Sequence, residues 1–68
     1  MSGHPALHAI RTRLAEKREE YADYLAHMKM RLREEDLHAC WDASINAAEV
    51  SSYIDGLEYA IRALGETP

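Results

Sequence analysis

Apolar residues recur at alternating steps of three and four along almost the whole of this 68-residue chain, and this spacing constrains its fold more than any other feature. The repeat follows the 3.6-residue turn of an α-helix, so it predicts amphipathic helices with one apolar stripe each. Lys17 interrupts the first stripe, whereas the second runs without a break. The predicted core and dimer residues are Leu7, Ile10, Leu14, Tyr21, Tyr24, Met28, Val50, Ile54, Leu57, Ile61 and Leu64.

Residues with special backbone preferences mark the ends of the helical region. Pro5 suits a first helical turn, because its missing N–H would be unpaired there in any case. Gly65 suits a left-handed C-cap directly after Leu64. Gly56 lies inside the second stripe, where it costs about 1 kcal/mol relative to alanine. Either a close helix–helix contact accounts for it or the helix tolerates it at that cost.

Two positions compete for the turn of the chain. Asp36 has the side chain of a helix N-cap, and Asn46 with Glu49 has the spacing of a capping box. The early turn gives helices of nearly equal length, about 5–33 and 37–64, with residues 34–36 between them in a single domain spanning 1–68. It also sets the large side chains of the first stripe against the small side chains of the second, which are Cys40, Ala43 and Ala47.

We favour this early turn, because a turn at 41–46 would leave part of the longer helix's apolar stripe uncovered. A single uninterrupted helix in a parallel coiled coil is the third possibility.

The two halves of the chain carry opposite charge. Residues 1–33 hold seven basic and four acidic side chains, a net of +3, and residues 34–68 hold one basic and eight acidic side chains, a net of −7. Two such helices attract when they pack side by side, within one chain or between two copies. Because a chain this short buries too little surface alone, we predict an all-α fold: a two-helix antiparallel hairpin that dimerises into a four-helix bundle.

Several residue types that often carry chemistry are present, but none is in a complete arrangement. His4 and His8 have the i, i+4 spacing of metal ligands, yet no Cys or acid completes the set. Cys40 with His27 or His38 would need a cleft and an oxyanion site, so we expect a half-buried, unreactive cysteine. A glycine-rich phosphate loop is missing from the sequence. We therefore predict no catalytic residues, no metal, no cofactor and no enzymatic activity.

The sequence predicts a cytoplasmic protein. A single cysteine cannot form an intramolecular disulfide and fits a reducing compartment. The longest apolar run is too short to cross a membrane. The N-terminus lacks the charged region and apolar stretch of a secretory signal.

Nucleic acid is an alternative partner, because the first helix is basic. Phosphate binding needs a basic surface free of competing acid. Here Glu16, Glu19, Glu20 and Asp23 are interleaved with the basic residues, and the whole chain is acidic, with a pI of about 5.4. An RNA- or DNA-binding helical-hairpin dimer is therefore the less favoured interpretation.

Apolar residues outside the two stripes cluster near the turn. Leu37, Trp41 and Ile45 form an i, i+4 ridge beside the second stripe, and Leu32 lies just before the turn. One hairpin cannot bury both the stripe and this ridge, and exposed apolar ridges mark protein interfaces. Tryptophan is the residue type most enriched in binding hot spots. These four residues are the predicted partner-binding surface, and Trp41 is expected to contact either a second copy or a different protein.

The stretch DLHACWDASINAAEVSSYIDGLEYAIRAL resembles the second half of small helical-hairpin proteins of tailed bacteriophages and prophages. Those proteins end in a similar acid–Ile–x–Gly–Leu–x–x–Ala–Ile pattern, which here reads YIDGLEYAI, with Tyr53 in the place of the acid. The group includes morphogenesis accessories and early-expressed inhibitors of host systems, such as anti-CRISPR proteins and quorum-sensing anti-activators. The resemblance implies a small regulator that binds and inhibits a protein of a bacterial host, with a morphogenesis or scaffold subunit as the alternative.

Overall fold

The computed structural model describes residues 5–68, which form two α-helices, α1 (Pro5–Arg33) and α2 (Leu37–Ala63). Three residues connect the helices, and ion pairs join Arg18 to Glu58 and, further from the turn, Arg11 to Glu66, so the helices are antiparallel. The predicted all-α helical hairpin is confirmed. The turn is the early one, and the alternatives of a turn at 41–46 and of one uninterrupted helix are wrong for this structure.

The turn needs neither glycine nor proline, because two capping motifs meet in it. Glu35 adopts a left-handed conformation with φ of 59°. Its N–H donates to the carbonyl of Leu32 (3.0 Å) and the N–H of Asp36 donates to the carbonyl of Arg31 (2.9 Å), which is the Schellman pattern that closes α1. The Asp36 carboxylate then accepts from the N–H of Ala39 (3.1 Å) and caps α2, as its side chain predicts.

The end of α2 repeats the same motif with the residue type that suits it. Gly65 has φ of 80°, and its N–H donates to the carbonyl of Arg62 (2.9 Å), while the N–H of Glu66 donates to the carbonyl of Ile61 (3.1 Å). The predicted left-handed cap at Gly65 is confirmed. Leu64 is the C-cap residue and not part of the helix. The apolar spacing predicts it in the core, but its side chain is 45% exposed and lies outside the core of the single hairpin.

Replacing Glu35 by glycine is expected to raise the free energy of unfolding by about 1 kcal/mol, because a left-handed backbone strains every residue with a Cβ. Thermal denaturation followed by circular dichroism would then show a midpoint higher by roughly 4–8 °C. Glu34→Gly is the matched control, since the left-handed position is its neighbour, and it should bring no gain. A lower midpoint for Glu35→Gly would contradict the turn geometry described here.

Burial follows the two predicted stripes, but the core is thin. The buried apolar side chains of the described residues are Leu14, Ala43, Ala47 and Ile61. Apart from Leu64, the remaining predicted core residues are half-buried: Leu7, Ile10, Tyr21, Tyr24, Met28, Val50, Ile54 and Leu57. The small residues of α2 are thus covered by the larger side chains of α1, which extend past them towards solvent.

Lys17, which interrupts the first stripe, is accommodated at the edge of the helix–helix contact. Its ammonium lies 3.0 Å from a carboxylate oxygen of Glu20 and 4.9 Å from the centre of the Tyr53 ring. A lysine can leave its methylene stem on apolar surface while its charge stays in water. The line of contact between the two apolar stripes, called the seam below, therefore continues past this position.

Gly56 does not mark a close helix–helix contact within the chain. Apart from its chain neighbours and the nearby backbone of α2, a Cβ placed on it would meet no heavy atom of the described residues within 4 Å. Of the two explanations that the sequence offers, the close helix–helix contact is not formed within the single hairpin. Gly56 instead borders a shallow surface depression with Tyr53 and Leu57.

Candidate protein-binding surface

An apolar groove runs along one side of the hairpin near the turn. It has a volume of about 190 Å³ and is lined by Leu25, Met28, Lys29 and Leu32 of α1 and by Cys40 of α2. Lys29 is the one charged residue of this lining. Cys40 is half-buried here, as the sequence predicts.

A ridge of exposed apolar side chains, consisting of Leu37, Trp41 and Ile45, borders this groove on α2. Leu37 is 70% exposed and Trp41 is 64% exposed. Each step of four residues turns the side chain about 40° further round the helix. Leu37, three residues before Cys40, therefore lies next to the groove, and Ile45 lies furthest from it.

The structure brings the four predicted partner-binding residues to the same end of the molecule. Leu32 is exposed in the wall of the groove that α1 forms, and the three ridge residues stand on α2. Leu25 also lines the groove but was not among the predicted binding residues. The sequence could have indicated Leu25 as well, because it lies seven residues before Leu32 and this spacing keeps both side chains on one side of α1.

The other side of the hairpin mixes polar and apolar side chains. A depression of about 390 Å³ lies there, lined by Asp23, Tyr24, His27, Ala39, Asp42, Ala43 and Asn46. Two of its polar side chains contact neighbours on their own helices: His27 accepts from the Arg31 guanidinium (3.2 Å), and Asp42 lies 3.6 Å from His38.

The arrangements considered for catalysis and metal binding are not formed by residues 5–68. Within residues 5–68, no hydrogen bond connects Cys40 to His27 or His38. The polar contacts of these two histidines run to neighbours on the same helix. The described residues also contain no group of three His, Cys, Asp or Glu side chains able to hold a metal ion. His4, the first member of the His4–His8 pair, lies outside the described residues.

Carboxylates neutralise most of the basic charge of α1. Two ion pairs join distant parts of the chain: Arg18 pairs with Glu58 of α2 at 3.0 Å, and Arg11 pairs with Glu66, just beyond the end of α2, at 3.6 Å. With the pairs inside α1, five of its seven basic side chains lie within 4.0 Å of a carboxylate oxygen: Arg11, Arg13, Lys17, Arg18 and Arg31. Exposed pairs of this kind are each worth a few tenths of a kcal/mol, so they fix which helix faces lie together more than they stabilise the fold.

Neither helix of the described chain has an apolar segment of the length needed to cross a bilayer. Comparisons with protein-family models, with curated proteins and with solved structures found no match to this chain.

Proposed function

We propose that this chain is a non-enzymatic protein-binding module, which dimerises into a four-helix bundle and holds another protein through the ridge. The observation that carries the proposal is the exposure of Leu37, Trp41 and Ile45 on one face of a helix. When a second chain covers large apolar side chains that are otherwise exposed to water, the free energy of the system falls. A tryptophan flanked by two aliphatic residues is the composition of an interface anchor.

A protein partner fits this surface better than a nucleic acid does. The groove and the ridge are apolar apart from Lys29, whereas phosphate binding needs a continuous basic surface. The basic side chains of α1 are largely paired with carboxylates, and the net charge of the whole chain is −4. Such a charge repels a polyanion at long range.

The resemblance to phage and prophage hairpins supports a more specific role. We propose a small regulator that acts in the cytoplasm of a bacterial host, where it binds and inhibits a host protein. Three apolar residues carried on one helix suit this role, because their backbone is already ordered and binding does not pay the entropy cost of folding that segment.

Trp41→Ala is expected to weaken partner binding by roughly 30-fold or more, since truncating a tryptophan hot spot costs about 2 kcal/mol or more. Tagged wild-type and variant proteins would be used to enrich partners from bacterial lysate, and the enriched protein would then be purified and titrated. Tyr59→Ala is the matched control, because Tyr59 is an aromatic residue of the same helix, 73% exposed and outside the ridge. We expect this control to bind as the wild type does.

Circular dichroism and light scattering on the same variants complete the experiment. The proposal requires that Trp41→Ala keep its helicity and its dimer mass while it loses the partner. If the variant dissociates or unfolds instead, Trp41 belongs to the homodimer core and the ridge is not the partner site. Equal loss of binding in the Tyr59→Ala control would also overturn the assignment.

A further inference from the structure

We infer that a second copy of this chain covers the groove in a parallel arrangement, with both turns at the same end of the dimer, so that Trp41 and Ile45 of the two ridges together form one binding site. The inference rests on the dimer included in the proposed function and specifies its geometry. It follows from the surface area of the hairpin, from the order of residues along the groove side, and from the direction of the ridge.

The hairpin exposes more surface than a compact chain of its mass. Its extents are 52 × 16 × 14 Å, and its radius of gyration is 15.2 Å, against about 11 Å for a globular chain of this length. Its accessible surface is 5120 Å², which exceeds by about 800 Å² the area of a typical folded monomer of 7.7 kDa. An excess of this size is about what each partner buries in a standard protein interface.

The groove side of each helix changes in character from the turn to the open end. Residues spaced by seven stay on one side of a helix, so two lines of side chains flank the groove. From the turn outwards, the line on α1 is Leu32, Leu25, Arg18 and Arg11. The line on α2 is Leu37, Ser44, Ser51 and Glu58. Both lines are apolar at the turn and charged at the open end.

These two lines select the parallel arrangement. With both turns at one end, the groove leucines Leu25 and Leu32 of one copy meet Leu37 of the other. Arg18, which pairs with Glu58 of its own chain, then also lies opposite Glu58 of the other copy. The first helix of each copy then lies on the second helix of its partner, which matches the opposite charges of the two halves. The reversed arrangement would cover the Arg18–Glu58 pair of each chain with leucine side chains of the other copy, and removing a charged pair from water is costly.

This geometry gathers the two ridges. Leu37 lies nearest the groove and is covered by the second copy, whereas Ile45, about 80° further round α2, stays directed outwards. Trp41 lies between them, at the border of the dimer contact. Two Trp41–Ile45 pairs therefore stand at one end of the parallel dimer, and we expect one partner molecule to bind each dimer.

Distances between spin labels measure the arrangement directly. The variant His38→Cys, in a Cys40→Ala background, carries one nitroxide per chain beside the turn, where the His38 side chain is 88% exposed. In a parallel dimer, the label–label distance from double electron–electron resonance should be below about 30 Å, because it is limited by the width of a bundle of helices about 10–12 Å thick. In the reversed dimer it should approach the 52 Å length of the hairpin.

A second label site and a mass measurement separate the outcomes. Ala63→Cys in the same background places the label at the open end, where the parallel arrangement again requires a short distance. Light scattering on these samples and on the wild type should give twice the chain mass of 7.7 kDa. A dimer with long distances at both sites would overturn the parallel arrangement and leave binding through the ridge standing. A wild-type mass of one chain at micromolar concentrations would overturn this inference and the dimer of the proposed function together.

Discussion

Ile61→Ala is expected to lower the free energy of unfolding by about 2–5 kcal/mol. Ile61 is the one large side chain of the described residues with 0% exposure, and its truncation removes buried methyl groups and leaves a cavity in the seam. A chain of this length has a total stability of only about 3–10 kcal/mol. We therefore expect urea denaturation, followed by circular dichroism, to show a variant that is substantially unfolded before much denaturant is added.

Ile45→Ala is the matched control for this substitution, because it removes the same groups from the ridge, where the side chain is 42% exposed. The cost there should be within about 1 kcal/mol, as for most surface positions. An equal cost at the two positions would contradict the outward direction of Ile45 and would place the ridge in the core of the dimer.

The helices and the turn could be predicted from the sequence because local signals agreed with the apolar spacing. The alternating steps of three and four defined both stripes, and Asp36 capped α2 where the stripes required a turn. The left-handed conformation of Glu35 was not predictable, since glutamate carries no preference for that region. It forms because the Schellman bonds of α1 and the cap of α2 fix the residues on both sides.

How deeply each residue is buried could be predicted less well from the sequence. Ala43 and Ala47 are buried, while Tyr21 and Tyr24 are only half-buried, although all four lie in the stripes. In a rod of two helices, a small side chain is covered by the facing helix, whereas a large one extends beyond the contact into water. Leu64 continues the spacing of its stripe but leaves the seam, because the chain adopts the left-handed cap directly after it.

The ridge was predictable and the groove was not. Three residues at i, i+4 spacing define a helical face without reference to any other element. The groove depends on which flank of α2 faces Leu25 and Leu32, and this is fixed only when the two helices pack. Cys40 is an example: its spacing places it in the apolar stripe, but in the folded chain it is half-buried and lines the groove.

Insertion of two glycines at two different points is expected to have opposite consequences. After Glu35, the insertion lengthens the connection, and lengthening a flexible loop costs only a few tenths of a kcal/mol for so small a change. The N–H of Asp36 loses its bond to Arg31, but the Asp36 carboxylate still caps α2. Helicity from circular dichroism and the thermal midpoint should stay close to those of the wild type.

The same insertion after Ser44 falls inside α2 and should abolish cooperative folding. Two added residues rotate everything beyond them by about 200° around the helix axis, so Ala47 and Ile61 would turn away from α1 while Ala43 still faced it. The buried residues of α2 could then no longer face α1 together, and each added glycine costs about 1 kcal/mol more in a helix interior. Loss of helicity after Ser44 with retention after Glu35 is the expected ranking. The opposite ranking would place the turn at 41–46, and the ridge would then no longer stand on one helix.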